Sequence, residues 1–166
     1  MPRLERTTKP QPLAILGEER RNWRASGLRV ALTNGCFDLL HPGHIALLEA
    51  ARADADVLIV ALNSDTSVRD LKGPTRPVIP ESERAEALLA LEVVDRVVLY
   101  DEKTPAHVID TLLPDILVKG ADWPLVEIVG RESVEAAGGR VVRVDLVKGR
   151  STTELVSRLR ANPSAP

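Results

Sequence analysis

The sequence predicts an α/β fold with a doubly wound parallel sheet of five strands. Short apolar runs rich in Val, Ile and Leu alternate along the 166 residues with longer segments of helical character. The run at residues 57–62 is apolar throughout, which is typical of a strand buried on both faces of a parallel sheet. Because no linker or repeat divides the alternation, we expect one domain with helices on both sides of its sheet.

The first elements can be justified in chain order. Residues 1–12 are polar with three prolines and predict an extended arm. Residues 13–25 carry Leu13, Leu16 and Trp23 among charges, which favours a surface helix that stops at Gly27. A β-type run at 29–33, a helix at about 43–53 and the strand at 57–62 follow. We expect residues 1–28 to form an N-terminal arm and helix beside a domain at 29–160.

The second half repeats the alternation. Helices are predicted over 81–91, 104–113, 125–137 and 151–160, and strands over 96–100, 116–119 and 140–144. Pro105 suits the first turn of its helix, and Gly138 with Gly139 ends the next one. Residues 161–166 predict a flexible tail.

Composition excludes several classes of protein. The 22 basic and 24 acidic residues give a net charge of −2, which does not favour binding to a nucleic-acid backbone or an anionic membrane. Aromatic residues are only 2% of the chain, too few for an RNA-stacking platform. No apolar stretch reaches the roughly 18 residues of a membrane span. With a lone Cys36 and no signal-peptide pattern, a cytoplasmic protein is expected.

The loop after the first strand carries the strongest functional signal. It reads Asn34-Gly35-Cys36-Phe37-Asp38, then Leu39-Leu40-His41-Pro42-Gly43-His44. Gly35 allows a tight turn and close approach to a ligand. His41 and His44 lie at the start of a helix, where free N–H groups favour an anion and two imidazoles can donate to a phosphate.

This loop has two other interpretations. One histidine could cap the helix while the other packs, which is the usual role of a single histidine. Cys36, Asp38, His41 and His44 could also be zinc ligands, but their spacing does not match the common zinc patterns. We therefore expect no metal held by protein side chains.

Later loops add weaker candidates. Ser64 or Asp65 could cap a short helix after Asn63, and Lys72 begins a flap-like stretch at 71–78 where it could neutralise a phosphate or stay solvated. Arg84 could clamp a phosphate or pair with Glu81 at the surface.

Two further loops contain cations close to other candidate residues. Lys119 and Gly120 end an apolar strand ahead of Asp122 and Trp123, and Trp123 could cover a base or pack under a helix. Ser151, Thr152 and Thr153 begin the last predicted helix. Ser151 with Glu154 spells a capping box, and the hydroxyls also suit a triphosphate.

The motif His41-Pro42-Gly43-His44 resembles the His-x-Gly-His signature of a nucleotidyltransferase superfamily with a Rossmann-like sheet. The ordered loops at 33–44, 63–65, 71–78, 90–95, 113–122, 127–130 and 151–153 are similar to one branch, the bacterial D-glycero-β-D-manno-heptose 1-phosphate adenylyltransferases. The likeness spans about 29–160. It implies transfer of AMP from ATP with Mg²⁺, giving ADP-heptose and pyrophosphate for products such as lipopolysaccharide.

The resemblance also implies site residues and partners. It places His41, His44 and Lys72 at the reacting phosphates, and the other nucleotide contacts at Asn34, Gly35, Cys36, Phe37, Asp38, Lys119, Gly120, Asp122, Ser151, Thr152 and Thr153. Asn63, Asp65, Lys72, Arg84 and Trp123 are the candidates on the sugar phosphate side. A separate heptose kinase and a homodimer are the partners that it suggests, with no nucleic acid and no membrane.

Two alternatives stay open. Glycerol-phosphate cytidylyltransferases share several of these motifs, although they usually have Gly-Thr-Phe-Asp where Asn34-Gly-Cys-Phe-Asp38 stands here. Trp123 stands where Tyr is more usual in the heptose branch, so base choice is not decided. A nucleotide-binding module without catalysis is the other alternative, and the intact histidine pair argues against it.

Overall fold

A parallel sheet with flanking helices makes up the described part of the computed structural model, which comprises residue 5, residues 7–145 and residues 156–157. The strands are β1 (Val30–Gly35), β2 (Val57–Asn63), β3 (Arg96–Tyr100), β4 (Ile116–Gly120) and β5 (Arg140–Val144). The helices are α1 (Leu13–Ala25), α2 (Pro42–Ala53), α3 (Asp65–Lys72), α4 (Glu81–Ala90), α5 (Ala106–Leu112) and α6 (Arg131–Ala136). All strand pairs are parallel, so the predicted five-stranded parallel sheet is confirmed.

Each strand divides its apolar side chains between two cores, because successive residues of a strand point to opposite faces. In β1, Val30 and Leu32 pack with α1, α5 and α6, whereas Ala31 packs on the face covered by α2 and α4. The helices therefore cover both faces, which confirms the doubly wound arrangement.

The strand order β3-β2-β1-β4-β5 locates the ligand crevice. The chain steps outward from β1 to β2 and β3, then returns to the other side of β1 to form β4. The loops that follow β1 and β4 therefore diverge to opposite faces of the sheet. Ligands of open parallel sheets bind at this switch point, beyond the carboxyl ends of the strands.

Two elements can be set against less definite predictions. Helix α3 is the short helix that Ser64 or Asp65 was predicted to cap, and Ser64 is its N-cap and accepts a hydrogen bond from the Ser67 backbone N–H, so the capping interpretation of Ser64 is confirmed. The single helix predicted over 125–137 is wrong. A 3-10 turn at Leu125–Glu127 is followed by α6, and Gly130 separates them with a φ of +81°.

The helix break at Gly130 is enforced by packing. A Cβ at this position would lie 2.5 Å from Cγ2 of Ile109, so only glycine fits against α5. The last predicted helix, at 151–160, lies outside the described residues except for two helical positions at 156–157.

The N-terminal segment packs on the same sheet. Leu16 and Trp23 of α1 are buried in the core that also holds Val30. Arg96 at the start of β3 binds both carboxylate oxygens of Glu19 at 2.9 Å, and its guanidinium lies over the Trp23 ring. The Gln11 backbone N–H donates to the Val97 carbonyl at 2.8 Å. Within the described residues, no helix has the length and apolar character that crossing a membrane requires.

Candidate active site

A cavity of about 520 Å³ opens at the carboxyl ends of the strands. Its walls come from the loops after β1, β2, β3 and β4, as the strand order requires. Most of the predicted site residues line it: Asn34, Gly35, Cys36, Phe37, Asp38, His41, His44, Asn63, Lys72, Lys119, Asp122 and Trp123. The volume lies within the range of about 300–1,000 Å³ usual for small-molecule sites.

Three predicted residues do not line this cavity, and three cannot be placed. Gly120 pairs with Val144 at the end of β4, and Asp65 and Arg84 are bound to each other behind the cavity wall. Ser151, Thr152 and Thr153 lie outside the described residues. Their assignment to the triphosphate stays a prediction.

His41 is held by the start of α2. It is the N-cap of that helix, and its Nδ1 accepts a hydrogen bond from the Gly43 N–H at 3.1 Å. An accepting Nδ1 carries no proton, so the neutral ring has its proton on Nε2. His41 can therefore cap the helix and donate a hydrogen bond at the same time, because Nδ1 accepts from the helix and Nε2 carries the proton.

His44 stacks on His41 with 3.8 Å between ring centroids and 23° between ring planes. Burial lowers the pKa of His44 to about 4, and the neighbouring His41 adds to that shift while the Leu39 backbone opposes it. The His44 ring is therefore neutral at pH 7. The His41 ring thus has a neutral Nε2–H donor beside the stacked His44 ring, which suits a phosphate that gains charge during reaction.

Asp38 joins the first loop to the flap, which we define as residues 73–80 between α3 and α4. Its carboxylate accepts from the backbone N–H groups of Val78 and Ile79 at 2.8–3.0 Å and from Arg76 Nε at 2.6 Å. Burial would raise the pKa of Asp38, but these hydrogen bonds outweigh it and the pKa is lowered. The side chain of Asp38 therefore holds the flap, and only its backbone is free for a nucleotide.

Arg84 is a correction to the sequence analysis. Its side chain is fully buried and donates to the carbonyls of Cys36, Asn63 and Ile79 at 2.6–2.9 Å, and to Asp65 at 2.7 Å. Four of the five N–H donors of the guanidinium are engaged by these partners, and the side chain does not line the cavity. Arg84 is therefore neither a phosphate clamp nor a surface partner of Glu81. Its buried side chain instead joins three loops.

Lys119 and Trp123 form the wall that follows β4. The Lys119 ammonium lies 5.4 Å from the centre of the Trp123 ring, a cation–π contact. Burial lowers the pKa of Lys119 to about 8, although Asp122 acts in the opposite direction. Trp123 is 47% exposed, so its ring is open to a ligand rather than packed under a helix.

Sequence analysis missed the wall that follows β3. Tyr100, Lys103 and Thr104 line the cavity, and the Tyr100 hydroxyl accepts a hydrogen bond from Asn34 Nδ2 at 3.2 Å. Tyr100 is the last residue of β3, and no recognisable motif marks the loop that follows it. The rule that ligands bind beyond strand ends covers this loop as well and could have found it.

No group of three or more His, Cys, Asp or Glu side chains in the described ranges is arranged to hold a metal ion. Cys36 lies 3.8 Å from Asn63 Oδ1, and burial raises the pKa of its thiol. A raised pKa keeps this thiol protonated at neutral pH, which disfavours a role as nucleophile or metal ligand.

Comparisons with known proteins point to one family. A family model described as cytidylyltransferase-like matches residues 32–155. The bifunctional protein HldE of Bradyrhizobium sp. (strain ORS 278) is 56% identical over 140 residues, which are 84% of this chain and 29% of that protein. The HldE of Gluconacetobacter diazotrophicus is 55% identical over 152 residues, or 92% and 31%. The chain thus spans less than a third of these relatives.

A solved structure has the same fold. The crystal structure of the lipopolysaccharide core biosynthesis protein from Thermoplasma volcanium GSS1 superposes with a TM-score of 0.61 at 28% identity. The match covers 75% of this chain and 100% of that chain.

Proposed function

Since the chain belongs to the cytidylyltransferase-like family and is a nucleotidyltransferase, we propose that it transfers AMP from ATP to D-glycero-D-manno-heptose 1-phosphate. The products are ADP-heptose and pyrophosphate. The observation that carries this proposal is the stacked His41–His44 pair at the start of α2, inside the cavity at the switch point. The HldE relatives and the ordered loop motifs support the choice of substrate.

The chemistry requires positioning more than acid–base groups. An oxygen of the acceptor's phosphate attacks the α-phosphorus of ATP and forms the new P–O bond. The bond from the α-phosphorus to the bridging oxygen breaks, and pyrophosphate leaves with that electron pair. A phosphate monoester is mostly a dianion at pH 7, so the attacking oxygen has no proton to lose. This explains why a site without a strong base suffices.

The described cations and donors match the charge that develops. His41 and His44 offer neutral N–H groups to the α-phosphate oxygens. Lys72 and Lys119 bring positive charge from two sides of the cavity, one from the end of α3 and one from the end of β4. Trp123 gives an open apolar surface for the base next to Lys119.

Mg²⁺ belongs to this proposal as a companion of ATP. Magnesium keeps much of its water and binds through substrate phosphates, where it neutralises charge on the leaving pyrophosphate. The protein's part is to hold the phosphates through its histidines and lysines.

The relatives extend the proposal beyond this chain. These relatives are named as bifunctional proteins, and this chain matches only 29–31% of their length. We propose that a sugar kinase supplies the heptose 1-phosphate on which this chain acts.

A pyrophosphate-release assay across ATP, CTP, GTP and UTP with a panel of sugar phosphates tests the proposal. We expect turnover with ATP and heptose 1-phosphate. Faster turnover with CTP and glycerol 3-phosphate would contradict it and favour a cytidylyltransferase.

His44→Ala should lose about 10²–10³-fold in kcat while ATP still binds. Unchanged turnover in that variant would refute the role of His44.

A further inference from the structure

We propose that Asn34, Asn63 and Tyr100 form a polar triad that binds hydroxyl groups of the acceptor sugar, with Tyr100 as a specificity-determining residue. The inference rests on the proposed function, because it identifies the part of the same cavity that binds the acceptor sugar. Neither Tyr100 nor the Asn34 side chain was expected to contact the sugar.

The triad is built by three neighbouring strands. Asn34 lies in β1, Asn63 ends β2 and Tyr100 ends β3, and Asn63 and Tyr100 are direct register partners. In each strand, this residue is an even number of positions from the side chains that pack under α1, α5 and α6. All three side chains therefore lie on that face of the sheet. They therefore converge at one edge of the cavity, beneath the start of α5.

Hydrogen bonds hold the triad together and preorganise it. Asn34 Nδ2 donates to the Tyr100 hydroxyl at 3.2 Å, and Asn63 Nδ2 donates to Ser67 Oγ at 2.9 Å. Ser67 Oγ in turn donates to the Glu102 carbonyl at 3.1 Å, which ties the loop after β3 to the same network. Burial raises the pKa of Tyr100 to about 12, so its hydroxyl keeps its proton at any working pH.

One acceptor of the triad is unused. Asn34 Oδ1 is buried and has no hydrogen-bond partner among the described residues, although Asn34 lines the cavity. Leaving a buried amide oxygen unpaired costs about 1–3 kcal/mol. A hydroxyl group of a sugar is a donor of the right size and polarity to satisfy it.

The position of the triad matches an acceptor rather than a nucleotide. Lys119 lies near the end of β4 and Trp123 follows that strand, on one side of β1, whereas Tyr100 ends β3, two strands from β1 on the other side. Two strand spacings are about 10 Å, roughly the span of a sugar phosphate. With the α-phosphorus at the histidines and the base beside Trp123, the sugar of the acceptor extends toward Tyr100.

Tyr100→Phe removes one hydroxyl from the triad and is the direct test. The matched control is Thr33→Val, because Thr33 Oγ1 is also buried and unpartnered but does not line the cavity. KM and kcat are measured for ATP and for the sugar 1-phosphate, and then for its monodeoxy analogues. Thermal melting and the Kd for ATP verify that both variants are folded.

We expect Tyr100→Phe to raise KM for the sugar phosphate about tenfold with KM for ATP unchanged, the size of one net hydrogen bond. Wild type should reject at least one monodeoxy analogue by tenfold or more, and Tyr100→Phe should discriminate against that analogue by less than threefold. Thr33→Val should behave as wild type.

Three results would overturn the triad: no analogue rejected by wild type, unchanged discrimination in Tyr100→Phe, or a rise confined to KM for ATP. Failure of the proposed function is a separate result, in which wild type ignores heptose 1-phosphate but accepts another phosphorylated polyol. The triad is then tested with deoxy forms of that acceptor.

Discussion

At the residue scale, the properties of the site follow from buried titratable groups. His44 and Lys119 are both bases, and burial lowers the pKa of each. The consequences differ because one side chain becomes neutral at pH 7 while the other retains most of its charge. Each shift leads to a prediction with its own pH window.

His44 should make the protein sensitive to acid. Its pKa is about 4 in the folded protein against 6.5 ordinarily, so between these values the unfolded chain binds more protons. Stability therefore falls as the pH drops from about 6.5 to 4. Between pH 7 and pH 5, the melting temperature of His44→Gln should decline less than that of wild type. Equal declines in the two proteins would contradict the shift.

Lys119 should make nucleotide binding sensitive to alkali. Its pKa is about 8, so its positive charge is lost as the pH rises past that value. We expect the Kd for ATP to increase above pH 8, by at most about tenfold per pH unit for one proton. Lys119→Arg keeps the charge and should remove this dependence. Calorimetric titrations between pH 7 and 9.5 measure the Kd for ATP of wild type and of Lys119→Arg. The same dependence of Kd on pH in the two proteins would refute the prediction.

At the scale of elements, Asp38 connects the flap to the loop that carries the histidines. Asp38→Asn loses one acceptor and the ion pair with Arg76, so it should destabilise the protein by about 1–3 kcal/mol. The loosened flap adjoins Lys72, and kcat/KM should fall about ten- to hundredfold. Denaturant unfolding and steady-state kinetics measure the two effects.

A matched control for Asp38 lies at the opposite end of the sheet. Asp56 accepts a hydrogen bond from the Arg29 backbone N–H at 2.8 Å, ahead of β1 and β2. Asp56→Asn should leave kcat/KM unchanged. If both variants lose activity alike, the effect is global destabilisation and the proposed role of Asp38 is wrong.

Sequence predicts elements well where burial imposes a pattern. The apolar runs of β2 and β3 identify these strands because both faces of the sheet are covered. Helix α3 was anticipated only through its cap and without bounds, because it is short and only Ser67 and Val68 of its residues are buried. The break at Gly130 depends on Ile109, a contact that no local pattern encodes.

The site shows the same division between local and long-range information. Motif and strand-end rules bring His41, Lys72 and Lys119 to one cavity, since these depend on topology. The partners of Arg84 come from distant loops, so the burial of its guanidinium could not be inferred. Tyr100 was missed because a buried aromatic at a strand end looks the same in sequence whether or not a ligand reaches it.

At the scale of the whole molecule, the two tryptophans separate folding from function. Trp23 is 6% exposed and joins α1 to the core, whereas Trp123 is 47% exposed at the cavity. Trp23→Ala should lower the free energy of unfolding by about 3–5 kcal/mol. Trp123→Ala should change it by less than about 0.5 kcal/mol while weakening ATP binding.

Chemical denaturation and ATP titration of both variants check this separation. The prediction fails if Trp23→Ala retains wild-type stability, because α1 would then be dispensable to the core. It also fails if Trp123→Ala binds ATP as wild type does.

The hydrogen bond from Gln11 to Val97 has a consequence for solubility. Among the described residues β3 is an outer strand of the sheet, and an outer strand is a template on which another copy could add a strand. The Gln11 backbone N–H occupies the Val97 carbonyl, and the Arg96 side chain ties the start of the same strand to Glu19 of α1. We expect these contacts, which lie outside the cavity, to make intermolecular β-sheet growth on β3 less favourable.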